Sequence, residues 1–140
     1  MNIIEYMENG GYEKLVVCTD QKSGLRAFIA IHNTVRGPAL GGCRIWSHSS
    51  ETEAFTDVLR LAKAMTYKNA AAGLNLGGGK ALIWADPTKD KSEYLLQAFG
   101  KAINDLGGIY ITTEDVGSSP EDLCIISRET DHVVGLPTTM

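Results

Sequence analysis

The sequence predicts an α/β domain with a mixed, mostly parallel sheet flanked by helices. Extended, β-branched segments fill the first third, and from about residue 51 amphipathic helical spacing alternates with short apolar strands. Glycine and proline mark most of the junctions between them. A chain of 140 residues, 44% hydrophobic and 21% charged, is the size of one domain. It can bury about two-thirds of its unfolded surface. Disorder, a collagen-like repeat and a disulfide mini-protein are excluded.

Residues 3–9 are expected to form one or two helical turns before Gly10-Gly11. Leu15-Val16-Val17-Cys18-Thr19 and Leu25 to Asn33 read as strands, and the turn Gln21-Lys22-Ser23-Gly24 joins them as a hairpin. After Gly37-Pro38, Leu40 to Trp46 is a third extended piece, in which Gly41-Gly42 allow a close backbone approach. Residues 51–72 carry the clearest helix. Ser50 can cap it, Glu51 and Glu53 suit its first turn, and Ala54, Val58, Leu61 and Met65 fall on one face. Gly73 stands where a helix-ending glycine belongs.

The run Ala81 to Ala85 is expected as a buried strand and Lys91 to Leu106 as a helix. Ile109 to Thr112 is expected as a strand, with Thr113 to Ser118 as loop. Ser119-Pro120-Glu121 opens a helix toward Thr130, because proline at its first position follows a capping serine. His132 to Leu136 reads as a last strand. No internal repeat or low-complexity linker is evident, and the chain reads as the front part of something longer.

Composition narrows the function. Thirteen Lys and Arg against seventeen Asp and Glu give a net charge of −4 with no basic cluster, a poor basis for nucleic-acid binding. Cys18, Cys43 and Cys124 include no CxxC pair, so neither a metal site nor a disulfide framework is expected, and reduced thiols suit the cytoplasm. No signal peptide is seen, and no apolar stretch is long enough to cross a membrane.

Three places could carry chemistry. Lys68 continues the stripe 54, 58, 61, 65 and is expected on the core-facing side, one turn before the helix ends. It either snorkels toward the helix C-terminus or serves as a partly buried ammonium for an anionic group. Gly77-Gly78-Gly79-Lys80 fails the P-loop template, with Leu74 in place of its first glycine and Ala81 in place of Ser or Thr. No window matches G-x-G-x-x-G. The glycine run is then a tight turn between helix and strand, or a close backbone approach that projects Lys80 beside a ligand. A lysine there, near another cation, would serve as a base near neutral pH. Asp115, in a loop after a strand, is either a turn aspartate or a site residue at a strand's carboxyl end. His32, His48 and His132 are scattered and read as surface or capping residues. No G-x-S-x-G elbow is present, and nothing singles out a glycosidase carboxylate pair.

Four segments in order resemble one known family. They are Gly37-Pro38-Ala39-Leu40-Gly41-Gly42, Met65-Thr66-Tyr67-Lys68, Lys68 through Lys80, and Tyr110-Ile111-Thr112-Thr113-Glu114-Asp115-Val116-Gly117. The chain resembles the N-terminal domain of the glutamate/leucine/phenylalanine/valine dehydrogenases over essentially its whole length. Ala-Gly-Leu-Asn-Leu before the glycines is most similar to the leucine-specific branch.

The resemblance implies that residues 1–140 form a substrate-binding and oligomerisation domain, with NAD held by a C-terminal Rossmann domain absent from this chain. The implied reaction is reversible oxidative deamination of an L-amino acid to a 2-oxo acid and ammonia, and the isolated chain is expected to be inactive. By resemblance, Lys68 binds the substrate carboxylate with help from Gly41 and Gly42, Lys80 is the general base that activates water, and Asp115 shuttles protons to and from the amine.

Leu40, Met65 and Thr113 are placed by the same resemblance at the substrate. Leu40 stands where glutamate-specific relatives carry a lysine, which argues for an apolar substrate such as L-leucine. Thr113 is commonly alanine and Val134 often threonine in leucine-specific relatives. A homo-oligomer is implied. The alternatives are a non-catalytic oligomerisation module, or the same domain of a valine or phenylalanine dehydrogenase.

Overall fold

A computed structural model describes residues 2–138. Its elements run α1 (Ile3–Gly10), β1 (Lys14–Asp20), β2 (Leu25–Asn33), β3 (Ala39–Trp46), α2 (Glu51–Ala71), β4 (Gly77–Trp84), α3 (Glu93–Asn104), β5 (Tyr110–Glu114) and α4 (Pro120–Ile126). One five-stranded sheet has the order β1-β2-β4-β3-β5. β3, β4 and β5 run parallel, while β1 pairs antiparallel with β2 and β2 with β4. The hairpin forms because the Asp20 carboxylate accepts from the Ser23 N–H and Gly24, at φ +77°, closes the turn.

Side chains alternate across the strands, and each face has its own core. Ala27, Ile29 and Ile31 of β2, Cys43 and Ile45 of β3, and Ala81 and Ile83 of β4 pack with Leu95, Phe99 and Ile103 of α3 and Leu123 and Ile126 of α4. On the opposite face Phe28, Ala30 and Leu82 meet Ala54, Val58, Leu59 and Ala62 of α2. Buried at 6% exposure, His32 bonds the Gly10 carbonyl and the Thr66 hydroxyl, so it ties α1 to α2 instead of lying at the surface.

The helices start where their caps are. The Ser50 hydroxyl accepts from the Glu53 N–H, and Ser119 and Asp122 form a reciprocal capping box around Pro120. Several boundaries differ from expectation. α3 spans 93–104 and α4 ends at Ile126, with turns carrying the chain onward. β5 includes Thr113 and Glu114, because both remain paired with β3. Residues 132–136 form no strand. Val133 makes an isolated bridge to Thr112.

The triple glycine also differs. It is not a tight turn but the first three residues of β4, a central strand beneath α2. A Cβ at Gly77 would meet the Asn33 carbonyl, and one at Gly78 would meet the Thr66 backbone. The glycines therefore let a helix and a neighbouring strand lie against bare main chain.

Candidate active site

The α2 face of the sheet carries one charged constellation. Lys80 shares this face with Leu82 and is 6% exposed. Its ammonium lies 3.2 Å from Asp115 Oδ2. Burying an ammonium costs several kcal/mol unless it is paired, and Asp115 supplies the counter-charge. Asp115 follows β5 in a loop folded over the end of β3. The Ser118 hydroxyl donates to the Cys43 carbonyl and accepts from the Asp115 N–H, and the Ile45 N–H reaches the Val116 carbonyl.

Glycines make room for this approach. A Cβ at Gly42 would stand 2.7 Å from Asp115 Cβ, and one at Gly41 would run into the Gly79 carbonyl, 3.2 Å from Lys80 Cα. Tyr110, fully buried, donates to the Gly41 carbonyl at 2.7 Å and fixes that peptide. Burial pushes the pKa of the Tyr110 hydroxyl and of the Cys43 thiol well above their ordinary values, so both stay protonated and neither is a nucleophile.

Lys68 is a correction. It is exposed on the last turn of α2, not core-facing. The buried stripe runs through Ala54, Val58, Leu59 and Ala62 to Asn69, so the drift of a 3.6-residue repeat over about four turns puts Asn69 inward in its place. Asn69 donates to the carbonyls of Leu40 (3.2 Å) and Gly77 (2.8 Å), which pins β3 and β4 to the helix. No described contact joins Lys68 to Lys80 or Asp115.

The second cation at the site is Arg44, which the sequence reading passed over. Its Nε donates to Asp115 Oδ2 at 2.9 Å and its Nη1 to Asp57 Oδ2 at 3.2 Å. Asp57, on α2, also accepts from Arg60 at 2.8 Å and meets His48 Nε2 at 3.0 Å. Burial pushes the Asp57 carboxyl up, but Arg44, the two arginine hydrogen bonds and His48 outweigh it and hold it below the usual carboxylate range. His48 is therefore a network residue and not an isolated surface group. The available signal was a lone charge alternating with buried residues in Gly-Gly-Cys-Arg-Ile-Trp.

Among the remaining candidates, Leu40 and Met65 are half-buried, and Thr113 lies opposite Gly42 in the β3–β5 register. The exposed Val134 belongs to the segment after Val133, where a Cβ on Gly135 would reach the Thr113 hydroxyl at 2.9 Å. A groove of about 840 Å³ between β1 and α3 contains none of these residues, and a smaller one of about 350 Å³ is lined by His48, Asp57 and Arg60. Charge convergence rather than cavity size singles out Lys80 and Asp115. Among the described residues no group of three or more His, Cys, Asp or Glu could hold a metal. The glycine run is packed on its neighbours within β4 and does not fit a phosphate cradle.

Residues 13–132 match the family model described as the Glu/Leu/Phe/Val dehydrogenase, dimerisation domain. Leucine dehydrogenase of Bacillus subtilis (strain 168) is 58% identical over 136 residues, 97% of this chain and 37% of that protein. Phenylalanine dehydrogenase of Caldalkalibacillus thermarum (strain TA2.A1) is 49% identical over 98% of this chain and 37% of its own length. In structure, L-tryptophan dehydrogenase from Nostoc punctiforme superposes with a TM-score of 0.91 at 42% identity, covering 94% of this chain and 39% of that one. The chain thus spans little more than a third of the length of the relatives it matches. With the parallel strands, the glycine-cleared backbone and the paired Lys80 and Asp115 in place, the conclusion is that this chain belongs to the Glu/Leu/Phe/Val dehydrogenase dimerisation-domain family.

Proposed function

We propose that this chain is the substrate-binding and oligomerisation domain of a cytoplasmic, NAD-dependent leucine dehydrogenase that oxidatively deaminates branched-chain amino acids. The observation that carries the reading is the 3.2 Å pairing of buried Lys80 with Asp115 beside side-chain-free backbone at Gly41 and Gly42. NAD would be held by a further domain of the whole protein, since the glycine run here does not fit it. It supplies the hydride acceptor.

In this reading Lys68, exposed at the end of α2, takes the substrate carboxylate, and the Gly41–Gly42 backbone sets its height above the sheet. Asp115 accepts a proton from the substrate ammonium. Lys80, once its ammonium has released a proton to solvent, takes a proton from the water that attacks Cα after hydride loss. Lys80 in β4, and an Asp115 loop tied to β3 through Ser118, fix both groups before substrate arrives.

Leu40 gives the substrate side chain an apolar neighbour and leaves a distal carboxylate unpaired. Met65 and Thr113 complete that pocket. A methylene is worth only about 1–3 kcal/mol in such a pocket, so leucine, isoleucine and valine are all substrates.

The test is a fusion of this chain to the NAD-binding portion of the Bacillus subtilis enzyme. It is expected to reduce NAD with L-leucine, and Leu40→Lys is expected to weaken apolar substrates. A folded fusion that binds neither leucine nor its 2-oxo acid, while the domain self-associates by light scattering, would establish the non-catalytic module that the family's description as a dimerisation domain also permits.

A further inference from the structure

We propose that Arg44 is a positioning residue for Asp115, held in place by Asp57 of α2. This deepens the proton-transfer reading of Asp115 and rests on it. Arg44 alternates with buried Cys43 and Ile45 on β3, so its side chain emerges on the α2 face, where Asp115 and Asp57 lie on either side of it. Its guanidinium donates one way to Asp115 Oδ2 and the other way to Asp57 Oδ2. The side chains of Asp57 and Asp115 are only 14% and 20% exposed, so these are sheltered charges and not a surface pair of negligible worth. Asp57 is itself fixed from two other directions, by Arg60 and His48.

The consequence falls on one atom. Lys80 and Arg44 both contact Oδ2 of Asp115, and among the described residues no hydrogen bond reaches Oδ1. Oδ2 is the anchored oxygen, and Oδ1 is the one that takes the proton. In that step an N–H bond of the substrate ammonium breaks with its electron pair staying on nitrogen, and an O–H bond forms at Oδ1. Ammonium and carboxylate become amine and carboxylic acid, with no net change in charge. Only a planar fork can hold two carboxylates apart at fixed angles. A lysine at position 44 keeps the charge and loses the geometry.

The experiment uses the fusion enzyme at saturating L-leucine. Arg44→Ala is expected to lower kcat by about 100-fold, the scale of a misplacement of about 1 Å, with KM within about twofold. Millimolar guanidinium is expected to restore part of kcat, and Arg44→Lys to remain at least about tenfold down. Arg128→Gln, at the exposed pair with Glu93, is the control and leaves kcat unchanged.

The proposal is overturned if kcat of Arg44→Ala stays within about threefold of the parent or if the loss lies in KM alone. If Arg44→Ala does not fold, Asp57→Asn replaces it. A loss of about tenfold in its kcat supports the clamp, and an unchanged kcat overturns it. Asp115→Asn separates the two layers. If it stays active, the proton-transfer reading of Asp115 falls, whereas an inactive Asp115→Asn beside a fully active Arg44→Ala removes only the role of Arg44.

Discussion

Replacing Asn69 by alanine tests whether the helix is pinned to the sheet by one buried amide. Asn69 is 3% exposed and its amide nitrogen donates to the carbonyls of Leu40 and Gly77. Two lost hydrogen bonds cost about 1 kcal/mol each, and the vacated amide volume about 1 more. Alanine returns about 0.6 kcal/mol through its better helix propensity, which leaves a net loss of about 2.5 kcal/mol. With a urea slope of about 2 kcal/mol/M, the unfolding midpoint should fall by about 1.2 M. The neighbouring Lys68→Ala, at an exposed position with no described partner, should stay within about 0.5 kcal/mol of the parent. The measurement is urea unfolding of both variants, followed by circular dichroism. A loss below about 0.5 kcal/mol in Asn69→Ala, or an equal loss in Lys68→Ala, would refute the assignment of inward and outward positions on this turn.

Two further outcomes follow from the same geometry. Gly41→Ala drives a methyl into the Gly79 carbonyl of the paired strand, and thermal melting should show a loss of at least about 1–3 kcal/mol, since main chain cannot rotate away as a side chain can. Asp57 has a carboxyl held below its ordinary range, so its contribution is fully present above the unfolded carboxylate pKa near 4 and is lost as pH falls through the lower folded value. Asp57→Asn should therefore destabilise at pH 7 and converge on the parent in strong acid. A gap that stays constant across urea titrations from pH 7 to 2 would contradict this.

Much of the fold was legible because local signals agreed with the global arrangement. The hairpin followed from a turn flanked by β-branched runs, and α2 and α4 began at their serine caps. Alternation of strand and helix gave the mixed sheet. The errors came where tertiary packing decides. Lys68 was placed inward by steps of three and four, but over 21 residues the stripe drifts to Asn69. Three consecutive glycines read as a turn or as backbone open to a ligand, and nothing local says that a helix will lie across them.

Lys80 and Asp115 stood out by residue type and position beside glycines and a strand end. Arg44 and Asp57 did not, because a single charge in a strand or on a helix acquires meaning only when the topology brings the two within hydrogen-bonding reach. His48, and His32 as a surface group, were misread for the same reason, since their partners lie on other elements or are reached only through loop geometry.

The close contacts at Gly41, Gly42, Gly77 and Gly78 also constrain how this domain can diverge. Where the main chain of one segment rests on that of another, any replacement adds an atom with nowhere to go, so point mutation has almost no tolerated steps there. Variation along this edge must then fall on the flanking side chains, of which Leu40 and Thr113 are the nearest that can change in size without prising the strands apart.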